Sequence, residues 1–360
     1  MAITSHDVAR LAGVSQPTVS RALRDQPGVS QATRARVRQA AKTLGYIASE
    51  TGRALATRQA SKIGVVSSEL TNPFYAALPG LLAEAFAMHG YRTIFITDRG
   101  DQPLAIEPLL DGSLDGVALT TSAVDSKLPE ELRHRGMPCV LIHRTVDGAD
   151  CDVCCVDTLR VGADTADLLI SLGHRRIGTL LGPAETSTGR DCGLGFIRRL
   201  ASAGIACDPA LQLRGPFAAE TGRVGLRRLM GAARPPTAIY CGNDVIALGA
   251  LNEAFVQGVR VPQELTLVGF GDIPMSSWPM LDLTTTKVDL GAMADVAARL
   301  LVSQIADPSR PAQSVVLRAS MVLRGTHDVA FGGDLGTQGL SPDGVRRPTP
   351  TLDTEAPVVG

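Results

Sequence analysis

Long apolar runs are missing from this chain: no stretch of its 360 residues reaches the length of a membrane span, which takes roughly 18 or more consecutive apolar positions. The opening residues, Met1-Ala2-Ile3-Thr4-Ser5-His6-Asp7, lack the basic-then-apolar order of an export signal. Both absences point to a cytoplasmic protein with no membrane partner, whose seven cysteines are expected as reduced thiols. Catalytic signatures are missing as well. There is no G-x-S-x-G nucleophile elbow, no G-x-x-x-x-G-K phosphate loop and no H-E-x-x-H zinc motif. Gly193-Leu194-Gly195 lacks a third glycine and does not directly follow a strand, so it is no dinucleotide fingerprint. Cys151, Cys154 and Cys155 contain a C-x-x-C, yet a structural zinc site needs four ligands and no second pair lies nearby. Cys154 and Cys155 sit in an apolar strand, where cysteine behaves as a small hydrophobe. The expectation is a protein that is not an enzyme and holds neither metal nor cofactor.

What is present is a chain of 44% hydrophobic and 20% charged residues, enough apolar material for a sizeable core. The length suggests two to three units at roughly 150 residues each. The net charge of −1 hides an asymmetry. Residues 1–62 hold ten Lys/Arg against three Asp/Glu, whereas the remainder holds 25 against 33. A small basic head on an acidic body fits a polyanionic partner for the head.

Residues 1–46 read as three short helices. The first spans about Ser5 to Ala12, with Thr4 as cap, Asp7 three residues on, and Val8, Ala9, Leu11 and Ala12 as its apolar face. Gly13 permits a sharp turn. Ser15 caps the second helix, where Pro17 is tolerated in the first turn and Val19, Ala22 and Leu23 face inward. The third starts after Ser30, buries Val37, Ala40, Ala41 and Leu44, and ends at Gly45. Helix, glycine turn, helix is a helix-turn-helix, whose second helix can fill the major groove of double-stranded DNA. Gln16, Pro17 and Arg21 are expected exposed at its start. Arg21 can make a bidentate contact to guanine and Gln16 can read adenine. Thr4, Ser15, Thr18, Ser20 and Thr33 suit phosphates, which position without specifying.

Residues 47–62 are polar and read as a hinge, with Arg53 and Leu55 as further DNA contacts. From Ile63 short apolar strands alternate with helical stretches: IGVV, YRTIFIT, GVALT, CVLIH, VCCVD, RIGTLLG, AIYCG and LTLVGFG, with helices at 74–89, 160–172, 189–203, 219–231 and 243–257. Such alternation means parallel sheets covered by helices. About ten strands in this span fit two sheets, with a ligand where the strand C-termini of two lobes face each other. The expected fold is an all-α helix-turn-helix head plus a two-lobed α/β body over 63–330. Residues 331–360 lose periodicity, read as a disordered tail, and carry no leucine heptads of a tetramerising coil.

The run DVARLAGVSxxTVSRAL followed by GVSxxTRxRVxxAAxxLGY resembles the DNA-binding head of the lactose/galactose repressor (LacI/GalR) family. The resemblance continues through SKIGVV, TNPFYAAL, LDGVALT, VLIHR, LGHRRIGTLLGP, GNDVIALGAL, VGFGDIPMSSW and LTTTKVDL, and covers roughly residues 3–327. It implies a body like periplasmic binding proteins, with three crossovers between lobes. Lobe one would be about 63–157 plus 287–313, and lobe two about 158–286 plus 314–330. It further implies a homodimer on a pseudo-palindromic operator, and a small-molecule effector that controls DNA affinity. Leu55 matches the hinge leucine that such proteins insert into the minor groove. Ala48-Ser49 and Gly52 depart from the usual hinge pattern. A periplasmic-type binding protein without a DNA role would share the lobes, but the basic head and missing export signal argue against it.

Positions that match the family's effector pocket are Asn72, Phe74, His143, Ser187, Thr188, Cys192, Phe217, Asn243 and Gly271. Relatives commonly carry Asp at the position of His143, Arg at that of Cys192 and Asp at that of Gly271. Arg190 and Asp272 are neighbouring candidates to replace the lost groups. A pocket with an imidazole and Arg190 is compatible with a sugar acid or sugar phosphate. The competing readings make His143 a satisfied buried histidine and Arg190 a surface residue, or remove effector control altogether.

Arg21→Ala is expected to relax operator discrimination at one base pair per half-site, by roughly 1–3 kcal/mol per lost bidentate contact. Binding titrations against single-base operator variants test this, and unchanged relative affinities would remove Arg21 from base reading.

Overall fold

The computed structural model describes residues 3–47, 59–68, 70–98 and 104–330. Arg53, Leu55, most of the hinge and the tail lie outside the described residues. The head contains α1 (Ser5–Ala12), α2 (Gln16–Leu23) and α3 (Gln31–Leu44). Each start is fixed by a short polar side chain. The Asp7 carboxylate accepts from the Thr4 N–H (3.0 Å) and hydroxyl (2.8 Å), while Ser15 and Ser30 accept from the N–H groups of Thr18 and Thr33. Val8, Ala9, Ala12, Val19, Ala22, Val37, Ala40 and Ala41 form a small core. Leu11 corrects the sequence expectation: it is 53% exposed, because the buried face of α1 runs through positions 8, 9 and 12 and position 11 falls off it.

The body opens with β1 (Lys62–Ser67), α4 (Pro73–Met88), β2 (Arg92–Thr97), α5 (Glu107–Leu110), β3 (Gly116–Leu119), α6 (Leu128–His134), β4 (Cys139–His143) and β5 (Asp152–Val156). It continues with α7 (Thr158–Ser171), β6 (Ile177–Leu181), α8 (Ser187–Ser202), β7 (Gln212–Arg214), α9 (Ala219–Met230), β8 (Ala238–Cys241), α10 (Asp244–Gln257) and β9 (Thr266–Val268). Then come β10 (Thr285–Lys287), α11 (Leu290–Ala306), β11 (Ser314–Leu317) and β12 (Ser320–Val322). Lobe one is a six-stranded parallel sheet ordered β11-β5-β4-β3-β1-β2, and lobe two a four-stranded parallel sheet ordered β7-β6-β8-β9. An antiparallel pair, β10 with β12, lies where the chain passes between them.

The resemblance had assigned 314–330 to lobe two. Strand β11 instead extends the lobe-one sheet beside β5, with Val315 opposite Cys154. The last crossing therefore falls after Leu317. Lobe two receives the chain only further on, where the Thr326 hydroxyl donates to the Leu267 carbonyl (2.7 Å) and the Asp328 N–H donates to Thr266 Oγ1 (3.1 Å). Strands β7, β10 and β12 span three residues each, too short for a periodic signal.

Two features position the rest. Asp115, just before β3, accepts from the backbone N–H groups of Ala60 (2.8 Å) and Ser61 (2.6 Å). The chain coming from the head is thus fastened to lobe one. In lobe two, α7 crosses α8 at glycines. A Cβ at Gly162 would lie 2.0 Å from the Cys192 carbonyl oxygen, and one at Gly195 would lie 2.0 Å from that of Leu159. Backbone packed against backbone cannot yield as a flexible side chain does. Gly162→Ala is expected to destabilise the body by about 1–3 kcal/mol, read as a lower denaturant midpoint at unchanged slope. A midpoint within error of the parent would show that the helices can part at no cost.

Candidate functional site

The head presents Ser15, Pro17 and Arg21 exposed, with Gln16, Thr18 and Ser20 half-buried beside them. Pro17 and Arg21 stand four residues apart, hence on one face of α2. Several groups are already bonded within the head. Gln16 Nε2 donates to Ser5 Oγ (3.2 Å). The Thr4 hydroxyl is engaged by Asp7, and the hydroxyls of Ser15 with Thr18 and of Ser30 with Thr33 pair at 2.8 and 2.9 Å. Arg10 is held by Asp7 and Arg38 by Asp25. These bonds shape the caps and leave the exposed Arg21 on the outer face of α2.

Between the lobes lies a narrow, partly open cleft with a free volume of about 20 Å³, room for about one water. Its walls come from element ends. Asn72 caps α4 and accepts from the Phe74 N–H (3.1 Å). Phe74 and Tyr75 follow in the first turn. His143 closes β4, Thr188 opens α8, Phe217 precedes α9, Asn243 caps α10, and Phe270, Gly271 and Ile273 follow β9. Sequential strand ends converge here because both sheets are parallel, so every strand delivers its C-terminal residue to the same edge.

His143 is the centre of an aromatic cluster. Its ring centroid lies 4.5 Å from Phe74, 5.7 Å from Tyr75 and 6.1 Å from Phe270. It is 4% exposed, and its φ of +67° lies in the left-handed region, a conformation sparsely populated by non-glycine residues and concentrated at functional sites. Burial, aided by the neighbouring Arg144 charge, pushes its pKa down to about 3. The ring is therefore neutral at physiological pH, and its Nδ1 is buried without a hydrogen-bond partner. Thr188 Oγ1 is likewise buried and unpartnered. The Arg144 guanidinium sits 5.0 Å from the Tyr75 ring of lobe one and 5.4 Å from the Phe217 ring of lobe two. One cation thus links the two walls by cation–π contact.

Of the residues singled out by sequence, Asn72, Phe74, His143, Thr188, Phe217, Asn243 and Gly271 meet around this cleft. The remaining ones have other partners. Ser187 Oγ accepts from the Thr145 N–H (2.9 Å). Arg190 is clamped by Asp147 (2.6 and 3.1 Å) and Asp191 (2.8 Å). Asp272 receives Arg324 (2.7 Å). Cys192 is buried under α7, and burial pushes its thiol up to about 12. The expectation that His143 and Arg190 favour a sugar acid or sugar phosphate loses its charge basis: desolvation keeps the histidine neutral and two carboxylates hold the arginine. Sequence reasoning missed Tyr75, Phe270 and Asp244. Tyr75 adjoins Phe74 and Asp244 adjoins Asn243, so adjacency was the available signal. Asp244 is buried and accepts from Thr285 Oγ1 (2.5 Å), Ser276 Oγ (2.8 Å) and the Ile273 N–H (2.9 Å).

A helix-turn-helix head on a two-lobed body with an interlobe cleft defines a ligand-linked DNA-binding protein. Comparison with known proteins agrees. Residues 4–49 match the family model described as bacterial regulatory proteins, lacI family, and residues 166–327 match a periplasmic binding protein-like domain. The HTH-type transcriptional repressor CytR of Escherichia coli (strain K12) is 31% identical over 329 residues, 90% of this chain and 96% of the relative. The HTH-type transcriptional regulator CelR of Thermobifida fusca is 31% identical over 326 residues, 88% and 96% respectively. Among solved structures, a CelR–cellobiose complex matches with a TM-score of 0.69 at 29% identity, covering 90% of this chain and 99% of that one. The lac repressor dimer bound to operator and the anti-inducer ONPF shares the fold with a TM-score of 0.83, at 24% identity over 91% of this chain and all of that one. The chain belongs to the LacI family of bacterial regulatory proteins and is a DNA-binding transcription regulator. Among the described residues no helix is long and apolar enough to cross a membrane.

The depressed pKa of His143 has a consequence for stability. Unfolded histidine takes up its proton near pH 6.5, whereas the folded ring does so only near 3. Its contribution is fully present above about pH 6.5 and is lost as pH falls toward 3. His143→Gln is expected to remove one proton from the acid-side uptake on unfolding, flattening the slope by up to about 1.4 kcal/mol per pH unit. Denaturant titrations at pH 4 to 7 measure it, and parallel curves for parent and variant would show a solvated, ordinary histidine.

Proposed function

We propose that this protein is an operator-binding repressor whose DNA affinity is set by a neutral sugar held between the lobes. The carrying observation is the chemistry of the cleft wall. Asn72, Thr188, Asn243 and a neutral His143 offer uncharged hydrogen-bonding groups, and Phe74, Tyr75 and Phe217 offer ring faces. Sugars present this combination of hydroxyls and an apolar face. The nearby arginines that would draw an anion are committed to Asp147, Asp191 and aromatic rings. The cellobiose bound by the similar CelR supports a sugar over a purine.

The mechanism is a population shift. Ligand enters a cleft with room for one water only when the lobes re-angle, so it binds their arrangements unequally and biases the equilibrium by that difference. Asp115 ties the segment entering β1 to lobe one, so lobe one carries the motion toward the head. In a homodimer on a pseudo-palindromic operator, in the cytoplasm, the spacing of two heads changes. Arg21 and Gln16 read bases, while Thr4, Ser15, Thr18, Ser20 and Thr33 contact phosphates, and Arg53 and Leu55 act from the hinge.

A thermal-shift and operator-release screen of the full-length protein tests this with neutral mono- and disaccharides, sugar acids, sugar phosphates and purines. Selective stabilisation by a neutral sugar that also alters operator affinity is the expected result. Stabilisation by a sugar acid or phosphate alone would overturn the neutral reading, and no response to any sugar would overturn sugar control.

A further inference from the structure

The cysteine spacing that drew attention in the sequence, Cys151 to Cys154, is not the pair that the fold brings together. Register between β4 and β5 is parallel, with Val140 opposite Asp152, Leu141 opposite Val153 and Ile142 opposite Cys154. One step back along the same register sets Cys139 opposite Cys151. Strand faces alternate with period two. Val140 and Ile142, with Cys154 and Val156, pack on the face shared with α4 and α11. Cys139 and Leu141 pack on the other face, against Cys151 and Val153. Cys154 accordingly points away, its thiol donating to the Met293 carbonyl (3.6 Å). Cys139 and Cys151 are left on one face of adjacent chain segments, packed in the same cluster.

Geometry favours a bond between them. Residues facing each other on adjacent strands are separated by about 4.8 Å, inside the Cα separation of about 4.4–6.8 Å that disulfides accept. Access favours it too. Both cysteines line one surface cavity, walled by Arg133, Pro138, Asp150 and Arg310. Cys139 is buried and Cys151 half-buried, so a reagent meets Cys151 first.

We propose that Cys139 and Cys151 form a reversible oxidation site, closed by exchange with a small-molecule disulfide such as oxidised glutathione. In the first step the Cys151 thiolate attacks one sulfur of the reagent. A mixed disulfide forms, the reagent's S–S bond breaks, and its other half leaves as a thiol. In the second step Cys139 gives up its proton and attacks the Sγ of Cys151, releasing the second half of the reagent as a thiol. Two protein thiols are oxidised to one disulfide and one reagent disulfide is reduced to two thiols, with two electrons transferred. The closed bond staples the start of β4 to the segment entering β5. At their other ends these strands carry His143 at the cleft wall and Val156, which leads into the crossing to lobe two. The inference is independent of the effector reading, since neither cysteine lines the interlobe cleft.

The test incubates native full-length protein with oxidised glutathione, then unfolds it in denaturant with N-ethylmaleimide to block all remaining thiols, and maps the products by mass spectrometry. The expected product carries two fewer alkylated cysteines than the seven of the reduced chain, joins the peptides of Cys139 and Cys151, and reverts with dithiothreitol. Cys139→Ser is expected to stop at a glutathione adduct on Cys151, Cys151→Ser to leave Cys139 unreacted, and Cys154→Ser to close normally. Seven alkylated cysteines after oxidation, a stable adduct on Cys151 in the parent, or a bond through Cys154 would each overturn the proposal.

Discussion

A buried carboxylate ties the start of α10 to the turn after β9 and to the crossing strand. Asp244 begins α10 in lobe two, yet its oxygens take hydrogen bonds from the turn at Ile273 and Ser276 and from Thr285 on the crossing strand β10. Burial pushes its pKa up, while these three donors hold it down. A carboxylate removed from water is tolerable only when its acceptor sites are filled. The three donors must therefore stay where they are, and with them the start of α10, the turn after β9 and the crossing. Asn243, Phe270 and Gly271, all cleft residues, are adjacent to those fixed points.

The same reliance on close contact recurs at the α7–α8 crossing, where glycines bring backbones together. It places Thr188, at the first turn of α8, on the cleft wall. Lobe one contributes its share through strand and helix ends, with His143 on β4 and Phe74 and Tyr75 on α4. The result is a wall of rings and uncharged polar groups, with the Asp244 carboxylate already bonded behind it, spanned by one guanidinium, that of Arg144, between Tyr75 and Phe217. A site built this way responds to lobe angle, because its members belong to two bodies joined by thin crossings.

Much of this was legible in the chain. Glycine turns, Ser caps and the 3.6-residue spacing of small apolar residues announced the head, and apolar runs alternating with helices announced parallel sheets. Leu11 was misplaced because apolar character says a residue can be buried, while its angle on a short helix decides whether it is. Strand β11 was misassigned for a related reason: Ser-Val-Val-Leu suits either sheet, and only an open edge beside β5 selects one.

The sequence by itself determined the kind of protein: a basic helix-turn-helix head, an α/β body and the residues at its strand ends, since these follow from local propensity and pattern. Tertiary structure decided the charge and partnership of those residues. His143 is neutral because Phe74 and Tyr75 of α4 and Phe270 of lobe two close over it and exclude water, with the adjacent Arg144 charge adding to the effect. Arg190 is occupied because Asp147, distant along the chain, lies beside it. Cys139 meets Cys151 because strand register, a long-range property, sets them opposite. Desolvation and pairing arise between elements, so they are written in the fold and not in the order of residues.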